Sequence, residues 1–293
     1  MSRHCRKTSL GLLLAAVAVV ASVVMPVNGT VPVAAGSPSG STAAWRSIDP
    51  PENGDVAGAQ WIEIDVPVPS SSDRRIVAAI FRPEGEGPFP IVVYLHGSSG
   101  LSTGMLRWAH RLSEAGYLVL AGCYSLTLPA RNRIACPDGP ASDRGVVALL
   151  EVARELPDAR GDGLGVLGLS AGARMAFWTL GDPSIRAIVA DSGDPGVVPL
   201  VDPATVGAAV LLLAFEQDVT VNRPALLRYD QKLRDLGKPI ESRYFEGSGH
   251  VVTFSEGTRE EATALTLDFF GRHLREARQA PSGTAMPVDP PTR

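Results

Sequence analysis

Three side chains that lie far apart in the sequence could together activate a nucleophile. Ser170 is the centre of the segment Gly-Leu-Ser-Ala-Gly at residues 168–172, which fits the G-x-S-x-G pattern of a sharp strand-to-helix turn. Glycines two positions before and after the serine leave room for such a turn, from which the hydroxyl projects above a sheet. A serine hydroxyl attacks well only when a base accepts its proton and an acid orients that base. The chemistry therefore requires a histidine and a carboxylate elsewhere in the chain.

Only two histidines follow Ser170 in the sequence. His250 ends the small-residue segment 247–250, directly after a predicted strand, whereas His273 lies in a predicted C-terminal helix and is most simply a solvated residue. A base has to lie in a loop at the end of a strand to reach the serine. His250 is therefore the candidate base, and the alternative is an ordinary surface-loop histidine.

Asp218 is the preferred candidate for the acid. It follows a predicted buried strand at 208–214 and precedes His250 by 32 residues, enough for a helix and a strand that return the chain to the sheet. Glu216 and Asp191 also follow predicted strands, so both remain alternatives.

The developing oxyanion of an acyl-transfer reaction needs two preorganised donors. The N–H group of Ala171, at the start of the predicted helix, is one candidate. The N–H group of Ser98 is the other, because Ser98 lies in the loop after a predicted strand that ends in His96 and Gly97. We expect His96 to order this loop rather than to act as a second base.

Strands and helices alternate along the chain, which predicts a mostly parallel sheet with helices on both faces. Two strands joined by a turn at 69–73 form an antiparallel hairpin before the parallel part. Ligands of such sheets bind beyond the carboxyl ends of the strands, where all the candidate residues fall. The predicted strands are 61–66, 75–81, 90–97, 117–121, 166–167, 185–190, 208–214 and 242–245, and the predicted helices are 105–115, 141–156, 224–236 and 259–277.

The N-terminal sequence is typical of a secretory signal. Arg3, Arg6 and Lys7 precede an apolar run at 10–24, which is short for a membrane span. We therefore expect export, to a secreted or extracytoplasmic location, with no stable membrane insertion after processing; an uncleaved anchor is the alternative. The predicted organisation is a signal peptide at 1–35, a flexible linker at 36–58, one folded domain at 59–278 and a disordered tail at 279–293.

Composition narrows the classes of partner. The 293 residues carry a formal net charge of −4, which does not favour nucleic acid or an anionic membrane. No histidine or cysteine cluster has metal-ligand spacing. Besides Cys5, the chain has only Cys123 and Cys136, which could form a disulfide in an oxidising compartment or could be two unrelated thiols.

Four motifs together resemble the α/β-hydrolase superfamily, and within it the dienelactone-hydrolase-like branch. They are residues 96–100, 168–172, 216–218 and 247–250, and the resemblance covers roughly residues 60–277. It implies an α/β-hydrolase fold, a triad of Ser170, His250 and Asp218, acyl-enzyme chemistry on a small-molecule ester, and no cofactor. Dienelactone hydrolases use cysteine at the elbow, so the serine here favours general carboxylic ester hydrolysis. No long insertion predicts a cap domain, which favours an open site and short-chain or polar esters.

Other classes remain open. A serine peptidase or an acyltransferase would share this machinery, and a non-catalytic binding protein could use the same scaffold. Gly163, Gly165 and Gly168 also match a dinucleotide-binding fingerprint, with Asp191 as the ribose-binding acid. Such glycines should follow a strand and open a helix, whereas a charged segment precedes these, so an oxidoreductase is disfavoured.

Overall fold

The computed structural model describes residues 43–66, 74–125, 133–134, 142–196 and 201–275. Within these ranges the chain forms nine β-strands and five α-helices. The strands are β1 Trp45–Ile48, β2 Ala59–Val66, β3 Arg74–Phe81, β4 Phe89–Leu95, β5 Leu118–Gly122, β6 Ala159–Leu169, β7 Ile185–Asp191, β8 Ala209–Phe215 and β9 Ile240–Phe245. The helices are α1 Thr103–Glu114, α2 Ser142–Glu155, α3 Ala171–Thr179, α4 Arg223–Asp235 and α5 Arg259–Phe270.

All nine strands belong to one sheet, in the order β1-β2-β3-β5-β4-β6-β7-β8-β9. The six strands from β5 to β9 in this order pair in parallel. At the other edge β1, β2 and β3 pair antiparallel with one another, and β3 pairs antiparallel with β5. The predicted architecture, a mostly parallel sheet preceded by an antiparallel hairpin, is confirmed.

The sheet separates two apolar clusters. Side chains of α2, α3 and α4 pack on one face, and those of α1 and α5 pack on the other. Residues 91–95 of β4 are fully buried, because a central strand covered on both faces must be apolar at every position rather than at alternate ones. This explains the continuous apolar run in the sequence.

The prediction of a flexible linker at 36–58 is wrong for part of this segment, because residues 45–48 form strand β1. Trp45 and Ile48 are half-buried in β1, Ala43 is buried, and the indole N–H of Trp61 donates to the carbonyl of Gly54 at 2.9 Å. A strand of four residues is too short to show a period of two, and the prolines that follow it favour the interpretation as a linker.

The C-terminal helix, predicted at 259–277, also differs. Helix α5 ends at Phe270 and continues as a π-helical turn, Gly271–Arg275. The turn keeps Leu274 buried against the sheet, where a Cβ atom on Gly165 would lie 2.7 Å from the Leu274 side chain. A regular 3.6-residue period cannot predict this local widening.

The glycines of the dinucleotide fingerprint lie inside β6, not in a loop between a strand and a helix. Gly165 lets the C-terminal turn approach the sheet, and a Cβ atom on Gly163 would lie 2.1 Å from the Arg186 side chain. These glycines therefore serve packing, and the oxidoreductase alternative loses its motif.

Several predicted segments lie outside the described residues: the signal peptide, the turn at 69–73, Cys136 and the tail at 279–293. Among the residues that the structure does describe, no helix combines the length and apolar character needed to cross a bilayer.

We predict that Trp61→Phe lowers the free energy of unfolding by about 1–3 kcal/mol, because the Gly54 carbonyl keeps only the N–H of Val56 as a donor and the smaller ring fills less of the buried site. Urea denaturation measures this change. The matched control is Trp45→Phe, the same change at a half-buried position, where we expect less than about 1 kcal/mol. Equal losses in the two variants would contradict the assigned role of the Trp61 hydrogen bond.

Candidate active site

The turn between β6 and α3 holds Ser170 in a strained conformation. The serine has φ 54° and ψ −114°, a region that costs about 1–3 kcal/mol for a residue with a Cβ atom. Its N–H donates to the carbonyl of Asp191 at 2.8 Å, and its carbonyl accepts from Arg174 N–H at 3.2 Å. The turn is thus held from β7 on one side and from α3 on the other.

The flanking glycines are required by close backbone approach. A Cβ atom on Gly168 would lie 2.2 Å from the carbonyl oxygen of Gly172, and one on Gly172 would lie 2.2 Å from the carbonyl oxygen of Leu95. Contacts this short against backbone atoms cannot be relieved by a rotamer change. The G-x-S-x-G pattern therefore reports the tight fit of α3 against β4 and β6.

The structure brings together the three side chains singled out in the sequence. His250 Nε2 lies 2.9 Å from Ser170 Oγ, and His250 Nδ1 lies 2.7 Å from Asp218 Oδ2. A serine at a helix N-cap usually caps the helix with its hydroxyl, but Ser170 makes no such bond, because its hydroxyl faces the imidazole. This is the geometry of a nucleophile, a base and an orienting acid.

The carboxylate of Asp218 has a second partner that the sequence reasoning missed. Thr220 donates to Asp218 Oδ1 from both its N–H, at 2.9 Å, and its hydroxyl, at 2.6 Å. The same hydroxyl lies 2.7 Å from His250 Nδ1. The D-x-T spacing is a signal for this turn, since an aspartate often bonds the backbone two residues on.

These bonds set the charge of Asp218. Burial acts to raise its pKa, but the hydrogen bonds from His250 and Thr220 act against burial, and the pKa of Asp218 lies below its usual value. A carboxylate with a lowered pKa is ionised at neutral pH, as an acid that orients a histidine must be. The side chain of Asp218 is almost fully buried, whereas that of His250 is one-third exposed.

The two alternative acids lie elsewhere. Asp191 is fully buried and accepts hydrogen bonds from the backbone N–H groups of Val252 and Thr253, both at 3.0 Å. Burial raises the pKa of Asp191, against the lowering effect of these bonds. Glu216 is half-buried, and its backbone N–H donates to the Phe245 carbonyl at 2.8 Å. In the described structure the carboxylate that bonds His250 is that of Asp218.

The loop after β4 lies directly against the serine. A Cβ atom on Gly97 would be 3.3 Å from Ser170 Cβ, and Ser98, next in the chain, is exposed. Ala171 is the first residue of α3, so its N–H has no acceptor within the helix. Ser98 and Ala171 therefore lie in segments next to Ser170, and their role as donors of an oxyanion hole remains a prediction.

His96 orders the loop after β4, as expected. Its Nδ1 lies 2.7 Å from the carbonyl oxygen of Gly97, so this nitrogen carries the proton. Its ring stacks on Tyr124, whose hydroxyl donates to the His96 carbonyl at 2.7 Å. Burial lowers the pKa of His96 to about 4, and the residue is therefore neutral and structural at neutral pH.

The remaining candidates have simpler roles. His273 is half-buried rather than solvated, with its ring 4.7 Å from that of Phe269; burial, followed by the nearby Arg272, lowers its pKa. Cys123 is buried and disulfide-bonded, but Cys136 is outside the described residues, so the pairing of the two remains a prediction. Among the described residues, no group of histidine, cysteine and carboxylate side chains could hold a metal ion.

We predict that Thr220→Val slows the reaction of Ser170 with a fluorophosphonate probe about fivefold. The variant keeps the shape of the side chain but removes one hydrogen bond to Asp218, worth about 1 kcal/mol. The pKa of Asp218 should rise toward its unfolded value. Because a lowered carboxyl pKa stabilises the fold above the unfolded pKa and this contribution is lost on acidification, the variant should lose less stability between pH 7 and pH 3.

The control is Thr205→Val, in which the lost hydroxyl bonds the Asp202 carbonyl, in a 3-10 turn. This control should react with the probe at the wild-type rate. A wild-type rate in the Thr220 variant would show that its hydroxyl does not support the acid.

Comparison with known proteins gives the fold. No family model matches the chain. Among curated proteins, it is 32% identical over 123 residues to the bile acid-CoA:amino acid N-acyltransferase of Mus musculus, a match that covers 41% of this chain and 28% of that protein.

Solved structures are similar over most of the chain. A dienelactone hydrolase-like promiscuous phosphotriesterase from metagenomic libraries has a TM-score of 0.59 at 16% identity, covering 80% of this chain and 99% of that chain. An esterase of Pyrococcus furiosus has a TM-score of 0.57 at 16% identity, covering 79% and 93%. An acylaminoacyl peptidase of Pyrococcus horikoshii has a TM-score of 0.55 at 19% identity, covering 80% of this chain and 42% of that longer chain. The chain therefore has the α/β-hydrolase fold, and its resemblance to dienelactone-hydrolase-like proteins is confirmed at the level of the fold.

Proposed function

We propose that this protein is a serine hydrolase that cleaves carboxylic esters through an acyl-enzyme intermediate. The observation that carries the proposal is the continuous hydrogen-bonded series from the hydroxyl of Ser170 through the imidazole of His250 to the carboxylate of Asp218, with distances of 2.9 and 2.7 Å. A serine and a histidine without a shared chemical role would not be expected to form such a series with a carboxylate.

In the first half of the reaction, Ser170 Oγ attacks the ester carbonyl carbon while His250 Nε2 accepts the hydroxyl proton. The carbonyl oxygen becomes an oxyanion, and the N–H groups of Ala171 and Ser98 are the proposed donors to it. Removal of one such donor typically lowers kcat by about 10²–10³. The imidazolium of His250 then protonates the leaving alcohol, and the acyl group stays on Ser170.

In the second half, water attacks the acyl carbon and gives its proton to His250, which returns it to Ser170 as the acid leaves. Asp218 stays ionised throughout, because its lowered pKa suits it to stabilise the imidazolium rather than to take the proton. The serine is thus regenerated without any cofactor in the cycle.

The similar proteins support this class of chemistry. Their names include an esterase and a dienelactone hydrolase-like phosphotriesterase. An acyltransferase and a peptidase are also similar, and these differ from an esterase in the acceptor or in the leaving group rather than in the attack. Acyl transfer to an amine is the second candidate, since it is the activity in the name of the curated relative.

We predict that the mature protein hydrolyses p-nitrophenyl acetate and butyrate faster than long-chain esters, and that Ser170→Ala lowers kcat by at least about 10³. The Ser170 variant is slow because it lacks the attacking oxygen. Short esters are favoured because the sequence contains no long insertion that predicts a cap domain. Steady-state kinetics across acyl chain lengths measures both effects. Ser113→Ala removes a buried serine hydroxyl from α1 and serves as the control, with kcat expected within about twofold of wild type.

Equal rates for the wild type and the Ser170 variant would leave a binding protein as the better interpretation. Adding an amino acid to the same assay separates the two enzymatic candidates. A hydrolase yields the free acid as the main product, whereas an acyltransferase yields the amide.

We also propose export of the chain, on the basis of the basic and apolar N-terminal sequence. Expression in a bacterial host with fractionation should yield a periplasmic or secreted protein whose N-terminus, by sequencing, lies near residue 36. Mass spectrometry without reduction should then show Cys123 linked to Cys136. An intact N-terminus in the cytoplasmic fraction would contradict export.

A further inference from the structure

The candidate base lies on a largely exposed loop of small residues. Residues 246–248 and His250 are exposed, and residues 247–249 have side chains no larger than that of serine. The hydrogen bonds to Ser170 and Asp218 end on the imidazole ring, so they orient the ring but do not fix the backbone that carries it. The N–H of Gln217 donates to the carbonyl of Gly247 at 2.9 Å and so holds the loop before His250. Other contacts have to hold the backbone that follows His250.

Asp191 supplies that hold from the end of β7. Its Oδ1 accepts from the N–H of Val252 at 3.0 Å and its Oδ2 from the N–H of Thr253 at 3.0 Å, and the hydroxyl of Thr253 donates to Oδ2 as well. These partners belong to the 3-10 turn Val252–Phe254, which begins two residues after His250. A fully buried carboxylate is thus occupied by the chain directly behind the base.

Ser192 extends the hold by one residue. Its hydroxyl donates to Asp191 Oδ1 at 2.8 Å and accepts from the N–H of Val251 at 3.0 Å. Its own N–H donates to the carbonyl of Leu213, in β8, at 2.7 Å. The three successive N–H groups of residues 251–253 are therefore all bonded to two neighbouring side chains.

Two backbone conformations show that these bonds act under strain. Val251 has φ 61° and Ser192 has φ 56°, and the left-handed region is most unfavourable for a β-branched residue such as valine. Strained residues of this kind persist only where the surrounding contacts hold them. Because Val251 directly follows His250, its backbone conformation affects the direction of the chain at the histidine.

Asp191 also bonds the nucleophile turn. The carbonyl of Asp191 accepts the N–H of Ser170 at 2.8 Å. One residue thus bonds the backbone of the candidate nucleophile through its carbonyl and the backbone behind the candidate base through its carboxylate.

We propose that Asp191 and Ser192 form a clamp that sets the distance between Ser170 and His250, and that both are positioning residues for the reaction. The proposal rests on the proposed serine hydrolase function. The proposal gives a role to a buried carboxylate that does not bond the imidazole. This role differs from a merely structural one, because the clamp sets the distance between two reacting groups and not only the stability of the fold.

The chain offers a matched control in Asp230, another buried carboxylate. Asp230 accepts hydrogen bonds from Arg234 at 2.8 Å, Ser242 at 2.9 Å and Tyr244 at 3.0 Å. These partners lie on α4 and β9, and none of them belongs to the triad or to its loops. Asp230→Asn should therefore affect stability without affecting the distance from Ser170 to His250.

The experiment compares Asp191→Asn, Ser192→Ala and Asp230→Asn with the wild type. It measures kcat and KM on p-nitrophenyl acetate, the melting temperature by calorimetry, and the low-field proton resonance of the His250 Nδ1–H group by NMR spectroscopy. Asparagine at 191 has one acceptor oxygen and places its amide group against an N–H group, so the turn behind the base must shift.

We expect Asp191→Asn to lower kcat about 100-fold and Ser192→Ala about tenfold, with KM within about twofold, because small misplacements of reacting groups cost rates of this order. The low-field resonance should shift or broaden in both variants. Asp230→Asn should lower the melting temperature and leave kcat, KM and the resonance at their wild-type values.

Wild-type kcat and an unchanged resonance in Ser192→Ala, together with parallel losses of stability in the two aspartate variants, would overturn the clamp. If Asp191→Asn does not fold, Ser192→Ala carries the test, since it removes only the hydroxyl of an otherwise intact turn. If the wild type cleaves no ester, the proposed function fails separately, because the NMR resonance reports the position of His250 whether or not an ester is hydrolysed.

Discussion

The strained turn at Ser170 is the constraint on which the rest of the site depends. Helix α3 must begin immediately where β6 ends, and it packs so closely that Gly172 lies against the Leu95 carbonyl. The strain is local, whereas the contacts that keep Ser170 in this conformation involve the whole sheet. They are the hydrogen bond of the Ser170 N–H to β7 and the apolar clusters on both faces.

Two carboxylates at neighbouring strand ends illustrate how environment separates roles. Asp218, after β8, bonds a ring nitrogen and a hydroxyl, and its pKa is lowered. Asp191, at the end of β7, bonds backbone N–H groups, and burial raises its pKa. Asp218 therefore orients the imidazole that exchanges protons, and Asp191 holds the backbone that carries this imidazole. The difference comes from the partners and not from the residue type.

The sequence was sufficient for the succession of the central strands and helices along the chain and for Ser170 and His250, because both follow strands of a largely parallel sheet. It favoured Asp218 as the acid but left Asp191 and Glu216 open, since all three follow buried strands and the choice depends on which loop reaches the imidazole. The partners of Asp191 are backbone N–H groups, which leave no residue pattern. Strand β1 was missed because four residues do not display a periodicity.

The separation of the three residues along the chain has a consequence for biosynthesis. Ser170 precedes His250 by 80 positions, and the intervening chain includes three strands and α4. A nascent chain that has emerged only as far as α3 carries its serine without any base, and such a hydroxyl is inert. The proposed nucleophile would thus become reactive only after the chain through His250 has left the ribosome and folded against the sheet, so that chains ending before His250 would carry the serine without its base.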